Sequence, residues 1–509
     1  MTSLGAPARA GRREWTGLAV LCLPTMLSQV DINVLILALP QLTADLGTSA
    51  TQQLWVTDIY GFMIAGFLLT MGTLGDRVGH RRVLMAGAVG FIAASLLAAY
   101  SSSTEMLLVA RALLGIAAAT VMPSVLALIR RMFQDPKQLG AAFGIWGSSI
   151  MLGVMFGPAI GGLLLNSFWW GSVFLLGVPV MLLLLAVGPA LLPESRTAHA
   201  SRLDLVSVLL SLAAVLPVVW GLKEFARAGW GPEPVLAVIV GVTLAALFVT
   251  RQRRLTEPLL DLELFRNKVF TTVVVTGLAI GAVMAGTGLV VTLYLQLVAG
   301  LSPLEVGLWL LVPSFAMIVG SNVGPAVARA VRPAYVIGTG LFVAAAGMLL
   351  LSQVDPGATL TLLIVGLVLV FTGNSPTGTL GSFLLMSSTP PHRAGVAGSI
   401  SSAGGELGIA LGIALMGSVA TANYRNDVAL PAGLPGEAAD QARESIAGAA
   451  SAANGLPTPV ATEVLNAARA AFTDSLHTVS LVNAVLFLAV ATLVLVTLRH
   501  APAMGAAKR

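Results

Sequence analysis

The sequence predicts an all-α polytopic membrane protein with fourteen membrane-spanning helices, arranged as two six-helix bundles with two additional helices between them. Composition is the first observation, because 56% of the 509 residues are hydrophobic and 10% are charged, where soluble proteins carry about 25% charged residues. The second is a succession of apolar segments separated by short polar connections. The third is a strong bias of basic residues toward alternate connections.

Each apolar segment is long enough to cross a bilayer, which takes about 20 mostly apolar residues. The first follows a basic N-terminus but is too long for a cleaved signal peptide, so it is predicted to be a retained span. The approximate limits are 16–40, 53–74, 82–101, 105–128, 140–165, 170–192, 204–222, 234–250, 270–297, 304–327, 334–352, 359–386, 396–420 and 478–498.

The basic residues set the predicted orientation. With the N-terminus in the cytoplasm, 22 of the 28 lysines and arginines fall on the inner side, five fall on the outer side, and Arg111 lies inside a span. Cytoplasmic loops carry such an excess, so both termini are predicted to be cytoplasmic. The net charge of +5 does not indicate nucleic-acid binding, because the bases occur in short blocks between apolar segments.

The two halves of the chain look related. GVMFG at 153–157 and GIALG at 408–412 share a G-x-x-x-G spacing, and secondary transporters are commonly built from internal repeats. The predicted units are an N-terminal bundle at 15–195, two inserted helices at 203–254 and a C-terminal bundle at 268–500. Within the last unit, 421–477 is predicted to be an extracellular loop that forms a helical hairpin.

The connection between the second and third spans, GTLGDRVGHRRVL at 72–84, combines glycines with both signs of charge. Any cytoplasmic turn of a membrane protein can be basic and rich in glycine. The order of residues here is more particular, and an acid at a helix end can meet the dipole of a neighbouring helix. Arg77 and Arg81 are expected to pair with Asp76 and hold the cytoplasmic side closed. The predicted gate residues are Gly72, Asp76, Arg77, Gly79 and Arg81.

Two spans carry further motifs. LLVARALLGIAAA at 107–119 places Arg111 inside the fourth span, where a buried arginine can be a purely structural ion-pair partner. GVMFGPAIGGLL at 153–164 concentrates small residues, which let helices approach closely, around an inserted Gly-Pro pair. The residues of this second motif are Gly153, Gly157, Pro158, Gly161 and Gly162.

Together these motifs and the fourteen spans resemble the major facilitator superfamily, and within it the fourteen-helix drug:proton antiporter family, close to the quaternary-ammonium exporters of the Qac and Smv type. The resemblance covers nearly the whole chain and includes QLWVTDIYGFMIAG at 53–66 and GGELG at 404–408. It implies the superfamily fold of two six-helix bundles. It also identifies the motif at 153–164 with the "antiporter" motif of exporters, which favours export over import.

The acids best placed within the predicted spans are Asp31, Asp58 and Glu406. Charged side chains inside a membrane are costly and usually functional. The resemblance implies the same, because the family keeps acids at these positions. With Arg111, they are the predicted proton-coupling and cation-binding residues. A structural alternative stays open, in which Asp31 and Asp58 are capped by backbone groups or by Arg111.

A carboxylate in an apolar cavity can exchange a proton for an organic cation, because both compete for one negative charge. On this view Asp31→Asn mimics the protonated state, and the variant is expected to fold because it relieves the desolvation of a buried charge. Aromatic faces attract quaternary ammonium groups. Trp55, Tyr60 and Trp146 are therefore predicted to line the substrate pocket, although most aromatic residues of a helix bundle only fill space.

The resemblance implies a proton-coupled antiporter that exports hydrophobic organic cations by alternating access, monomeric and embedded in a bacterial cytoplasmic membrane. Its expected partners are protons, lipophilic mono- or dicationic small molecules and the lipid bilayer. The tenth span holds no acid beyond Glu305 at its mouth, which weakens the expectation for dications. Alternatives are an exporter of an endogenous antibiotic or lipid, an importer, and a membrane sensor that has lost transport.

Several chemistries lack their motifs in this sequence. No lysine follows a glycine, so the chain holds no Walker A loop, and neither H-E-x-x-H nor G-x-S-x-G occurs. We therefore expect no enzyme activity, no catalytic residue, no cofactor, no metal site and no nucleic-acid partner.

Overall fold

The computed structural model describes residues 10–194, 205–228, 231–255, 262–355, 360–389, 394–431 and 434–499. Every regular element among these residues is helical, which confirms the all-α prediction. A 3₁₀ turn at Leu264–Arg266 precedes the eleventh α-helix, and a π-helical turn at Tyr294–Val298 ends it. The α-helices are α1 (Arg12–Leu46), α2 (Ala50–Val78), α3 (His80–Ala99), α4 (Thr104–Ala118), α5 (Val121–Met132), α6 (Pro136–Ser167), α7 (Ser172–Leu175), α8 (Gly177–Leu191), α9 (Leu205–Ala228), α10 (Pro232–Gln252), α11 (Lys268–Leu293), α12 (Pro303–Val327), α13 (Pro333–Leu351), α14 (Leu360–Ser388), α15 (Ala394–Asp427), α16 (Gly436–Glu444), α17 (Ile446–Ala453) and α18 (Thr458–Leu498).

The described residues contain 11 helices that are long and apolar enough to cross a membrane, and 13 when each of two bent pairs is one span. The bent pairs are α1, which turns by 45° between Asp31 and Val34, and α2, which turns by 48° between Leu68 and Thr70. In α9 only the shorter stretch Val206–Val218 is strongly apolar. The predicted count of fourteen spans therefore depends on α9 and stays a prediction.

Small residues join the same pair of helices in each half of the molecule. A methyl group at Gly153 in α6 would collide with the carbonyl oxygen of Met26 in α1. A methyl group at Gly408 or Gly412 in α15 would collide with the backbone of α11. Close backbone approach of this kind gives helices in a membrane extensive van der Waals contact. The two G-x-x-x-G segments thus pack α6 on α1 and α15 on α11.

The two halves meet along two seams, α2 with α15 and α6 with α12. In the first seam, methyl groups at Gly61 and Gly417 would press on Ala410 and Leu54 respectively. A hydrogen bond also crosses between the halves, because the Gln296 side chain donates to the Leu37 carbonyl oxygen at 3.3 Å. These contacts lie in the half of the molecule that contains the α1–α2 connection, which is the predicted extracellular side.

The predicted outer loop forms helices whose boundaries differ from the expectation. The sequence predicts one helix of the hairpin over 437–455 and the other over 462–477. The first is broken at Ser445, whose side chain accepts a hydrogen bond from Gly448 N at 3.0 Å and so caps α17. The second is continuous with the last span, because α18 runs without interruption over Thr458–Leu498. The helix therefore starts 20 residues before the predicted limit of the span at 478, because hydropathy detects the apolar part of a helix and not its polar extension.

Candidate functional site

A buried ion pair joins α1 to α4. The Arg111 Nη1 donates to Asp31 Oδ2 at 2.8 Å, and the two side chains are 1% and 8% exposed. The Arg111 Nε donates to the Val56 carbonyl oxygen of α2 at 3.2 Å. Asp31 is thus paired with Arg111 in this structure. Removing one partner of such a pair is costly, because it leaves an uncompensated charge in the protein interior.

Two aromatic rings enclose the guanidinium group of Arg111. Its Cζ lies 4.3 Å from the ring centroid of Tyr60 and 5.8 Å from that of Phe174, both at distances typical of cation–π contact. A methyl group at Gly115 would collide with the Tyr60 carbonyl oxygen, so the glycine lets α2 lie close against α4. Tyr60, predicted to contact substrate, therefore contacts Arg111 here. Phe174 was not predicted, because nothing near it in sequence marks it as a partner of Arg111.

Glu406 faces this cluster from the other half of the molecule. It lies on α15, one turn before Ala410, which contacts Gly61 next to Tyr60 on α2. The Glu406 Oε2 is buried and makes no hydrogen bond to any residue that the structure describes. With Asp31 and Arg111 compensating each other, an ionised Glu406 gives the cluster a net charge of −1.

Asp58 occupies a separate buried position on α2. Its side chain is completely buried, and its Oδ1 accepts a hydrogen bond from the Thr57 hydroxyl at 3.4 Å. Asp58 and Tyr60 are two residues apart, and such positions do not face each other on a helix. The structure thus pairs Asp31 with Arg111, and it places Asp58 on α2 and Glu406 on α15, the helix that packs against α2.

The two predicted pocket tryptophans lie on different helices. The Trp146 Nε1 on α6 donates to the Thr25 hydroxyl on α1 at 3.2 Å, and its ring meets Phe143 edge to face. Trp55 is partly buried on α2. The contact that Trp146 makes fixes α6 on α1, so its described role is in packing the N-terminal bundle.

The predicted gate loop forms a different set of ion pairs from the one expected. Asp76 Oδ1 contacts His80 Nε2 at 3.1 Å, one helical turn away, whereas Arg81 Nε lies 3.5 Å from Glu194 Oε2. Arg81 Nη1 also donates to the Leu192 carbonyl oxygen at 3.1 Å, because the C-terminal end of α8 offers unpaired carbonyl groups to a cation. Arg77 is exposed. In this structure Arg81 is thus paired with Glu194, and its pairing with Asp76 in a state with the cytoplasmic side closed stays a prediction.

Glycine is required at the turn of this loop. Gly79 has a φ of 115°, which L-residues rarely adopt, and a methyl group there would collide with the Glu194 carboxylate. The turn thus brings the start of α3 against the segment that follows α8. Gly72 packs more loosely, because a methyl group there would lie 3.5 Å from its nearest neighbour, Pro123.

The residues of the Gly-Pro motif lie between the two bundles. A methyl group at Gly161 would collide with Val34 in α1, and one at Gly162 would collide with the backbone at Pro303 and Leu304 of α12. From the other side, a methyl group at Gly307 of α12 would collide with the Pro158 backbone. The motif therefore lets α6 touch both its own bundle and the opposite one.

Long apolar helices in two packed halves, with buried charges facing each other near the seam, define a polytopic membrane transporter. Residues 21–413 match the family model of the Major Facilitator Superfamily. The chain belongs to this superfamily, and it is a transporter and not an enzyme.

Two relatives and one solved structure illustrate the similarity. The chain is 39% identical to the "Multidrug efflux pump LfrA" of Mycolicibacterium smegmatis, over 97% of this chain and 99% of that protein. It is 33% identical to the "Methyl viologen resistance protein SmvA" of Salmonella typhimurium, over 93% and 95%. The fold is similar to that of a bacterial homologue of the human lysosomal transporter Spinster, in an inward-facing and unoccupied conformation. The TM-score is 0.68 at 14% identity, over 96% of this chain and 98% of that one.

Proposed function

We propose that the chain is a proton-coupled antiporter that exports lipophilic organic cations from a bacterial cytoplasm, with both termini inside. The observation that carries the proposal is Glu406, whose buried Oε2 makes no hydrogen bond among the described residues, facing an otherwise neutral cluster. A buried carboxylate needs a cationic partner or a proton. The relatives named for multidrug efflux and methyl viologen resistance support an organic cation as that partner.

The charge balance of the cluster sets the expected exchange. Asp31 and Arg111 compensate each other, so Glu406 supplies one negative charge that one proton or one monovalent cation neutralises. The two ligands therefore exclude each other at this position. A dication would need a second acid. The candidate is Asp58, a buried carboxylate on α2 two residues before Tyr60 of the cluster.

The ion pair between Asp31 and Arg111 gives the proposed transport cycle a second state. A proton on Asp31 would remove the charge that holds Arg111, and the guanidinium would then turn to another acceptor. Because the Arg111 Nε also binds the Val56 carbonyl oxygen and its Cζ lies over the Tyr60 ring, a change at Asp31 reaches α2 directly. Since α2 forms a seam with α15, the protonation state of Asp31 would bias how the two bundles pack.

The packing of the bundles fits an inward-open arrangement. The seam contacts described above join the bundles on the predicted extracellular side, so Glu406 would be reached from the cytoplasm. Export then requires these contacts to break and the cytoplasmic ends to close, which is alternating access around a fixed central site.

Reconstituted protein tests this function. Vesicles with an imposed pH gradient, acidic inside, should accumulate a lipophilic monocation such as tetraphenylphosphonium, and addition of the cation should drive proton movement in the opposite direction. Glu406→Gln should abolish both, whereas Glu437→Gln, an exposed carboxylate on α16, should leave both unchanged. Cation uptake that ignores the pH gradient would refute proton coupling, and absence of cation uptake would refute the proposed substrate class.

A further inference from the structure

The inserted helix α9 contacts both bundles. It packs against α2 of the N-terminal half and α15 of the C-terminal half. Val215 and Leu216 join Phe62, Ala410 and Ala414 in one apolar cluster that includes residues of all three helices. The insert is therefore part of the seam between the bundles and not a separate pair of helices in the lipid.

One contact shows that α9 packs on α2 at a defined position. A methyl group at Gly66 would collide with the side chain of Leu212, so the leucine fills the space that the glycine leaves. Elsewhere α9 is held by α10, where Gly241 lies against the Ala214 carbonyl oxygen and the Gln252 side chain donates to the Ser207 hydroxyl at 2.7 Å. The side chain of Leu209, on another face of α9, is 63% exposed toward the surroundings.

A cavity of about 320 Å³ lies between α9, α2, α11 and α15, at the lower end of the volumes of ligand pockets. Its lining contains no acid or base, and Ser211 is the one residue with a polar side chain in it. The cavity therefore suits an uncharged apolar group and not a hydrated ion. The cavity lining includes Phe62 of α2, Leu212 and Leu216 of α9, and Ala403 and Leu407 of α15.

The cavity adjoins the candidate cation site through α15. Ala403, Glu406 and Leu407 stand at positions i, i+3 and i+4, which share one face of a helix. Two of the three line the cavity, and the third carries the buried carboxylate. An apolar cavity next to a single acid matches a molecule with a hydrocarbon part and one positive charge.

We propose that α9 forms the wall of an apolar subsite that receives the hydrocarbon part of the transported cation while its charged part lies at Glu406, and that Leu212 and Leu216 set the size of this subsite. The proposal rests on the proposed function, and it assigns the inserted helix pair a part in substrate selection. It follows that substitutions on α9 change which chain lengths are accepted, without changing the response to charge.

Alkyltrimethylammonium ions of increasing chain length test the proposal, because the head group stays constant. Binding to the purified protein is measured for each length, together with uptake into proteoliposomes. Leu216→Ala and Leu212→Ala should move the optimum to longer chains. Each added methylene that is buried should tighten binding about fourfold until the enlarged subsite is full. Leu209→Ala, the exposed control on the same helix, should leave the optimum where it is in wild type.

Gly66→Ala gives a second, opposite change. Its methyl group should displace Leu212 and shift the optimum to shorter chains, and Leu212→Ala in the same protein should restore it. A shift of equal factor at all chain lengths, or an unchanged optimum in all the cavity variants, would overturn the subsite. Binding without proton exchange would refute the proposed function alone, since the chain-length optimum is read from binding. Failure of wild type to bind any member of the series would refute both.

Discussion

At the scale of single residues, the central fact is that Asp31 and Arg111 neutralise each other inside the N-terminal bundle. The sequence identified both residues, because charges within apolar spans are conspicuous. It offered their pairing only as one alternative, since the two are 80 positions apart and backbone groups could equally cap Asp31. Tyr60 was predicted to contact substrate, and here it stacks on Arg111. The role predicted for Glu406, as an acid for proton and cation exchange, stays a prediction.

The ion pair changes the expectation for Asp31→Asn. The sequence alone suggested a tolerated variant, but the structure contains a buried partner, so the substitution strands the charge of Arg111. Breaking a buried pair by removing one member typically costs about 3–5 kcal/mol. Asp31→Asn and Arg111→Gln should each lower the midpoint of thermal unfolding in detergent, and the double variant should lose less than the sum of the two. Single variants as stable as wild type would show that the pair does not form in solution.

At the scale of helices, glycines decide where the bundles touch. The Gly-Pro motif was predicted from its small residues, and the structure adds that α6 uses it to contact both α1 and α12. The counterpart on α12, Gly307, was not singled out because an isolated glycine in a span has no specific signature. Similarly, the apolar limit at 478 hid the true start of α18 at Thr458, since helical hydrogen bonding continues beyond the membrane wherever the residues favour it.

Gly307→Ala tests the contact between the bundles. Its methyl group would collide with the Pro158 backbone, so the variant should separate α6 from α12 and favour the outward-open state. In a background without Cys22, a cysteine replacing Leu54 should react several-fold faster with a membrane-impermeant maleimide added outside. Gly288→Ala, at a glycine where an added methyl group would meet open space, is the matched control. Equal labelling in both variants would mean that this contact does not hold the extracellular side closed.

At the scale of the whole molecule, composition and charge pattern predicted a helical membrane transporter, and the fold and family confirm it. The number of spans stays between the 13 that qualify here and the 14 predicted, because α9 is apolar over only part of its length. The sequence did not predict that α9 lies across the seam of both bundles, since hydropathy reports depth in the membrane and not the choice of neighbours. Nor did it predict that the halves meet at the end of the molecule that contains the α1–α2 connection, which is a property of one conformational state.

The central claim is that one buried carboxylate, Glu406, exchanges a proton for a cation. Proton release on cation binding tests it most directly, measured with purified protein in weakly buffered detergent over a series of pH values. Because proton and cation binding are linked reciprocally, wild type should release about one proton per tetraphenylphosphonium bound, and its affinity should weaken as the pH falls. Glu406→Gln should lose the proton release and most of the affinity, because a neutral amide offers no Coulombic partner, while Glu437→Gln should behave as wild type. Retention of both the affinity and the proton release by Glu406→Gln would contradict the account.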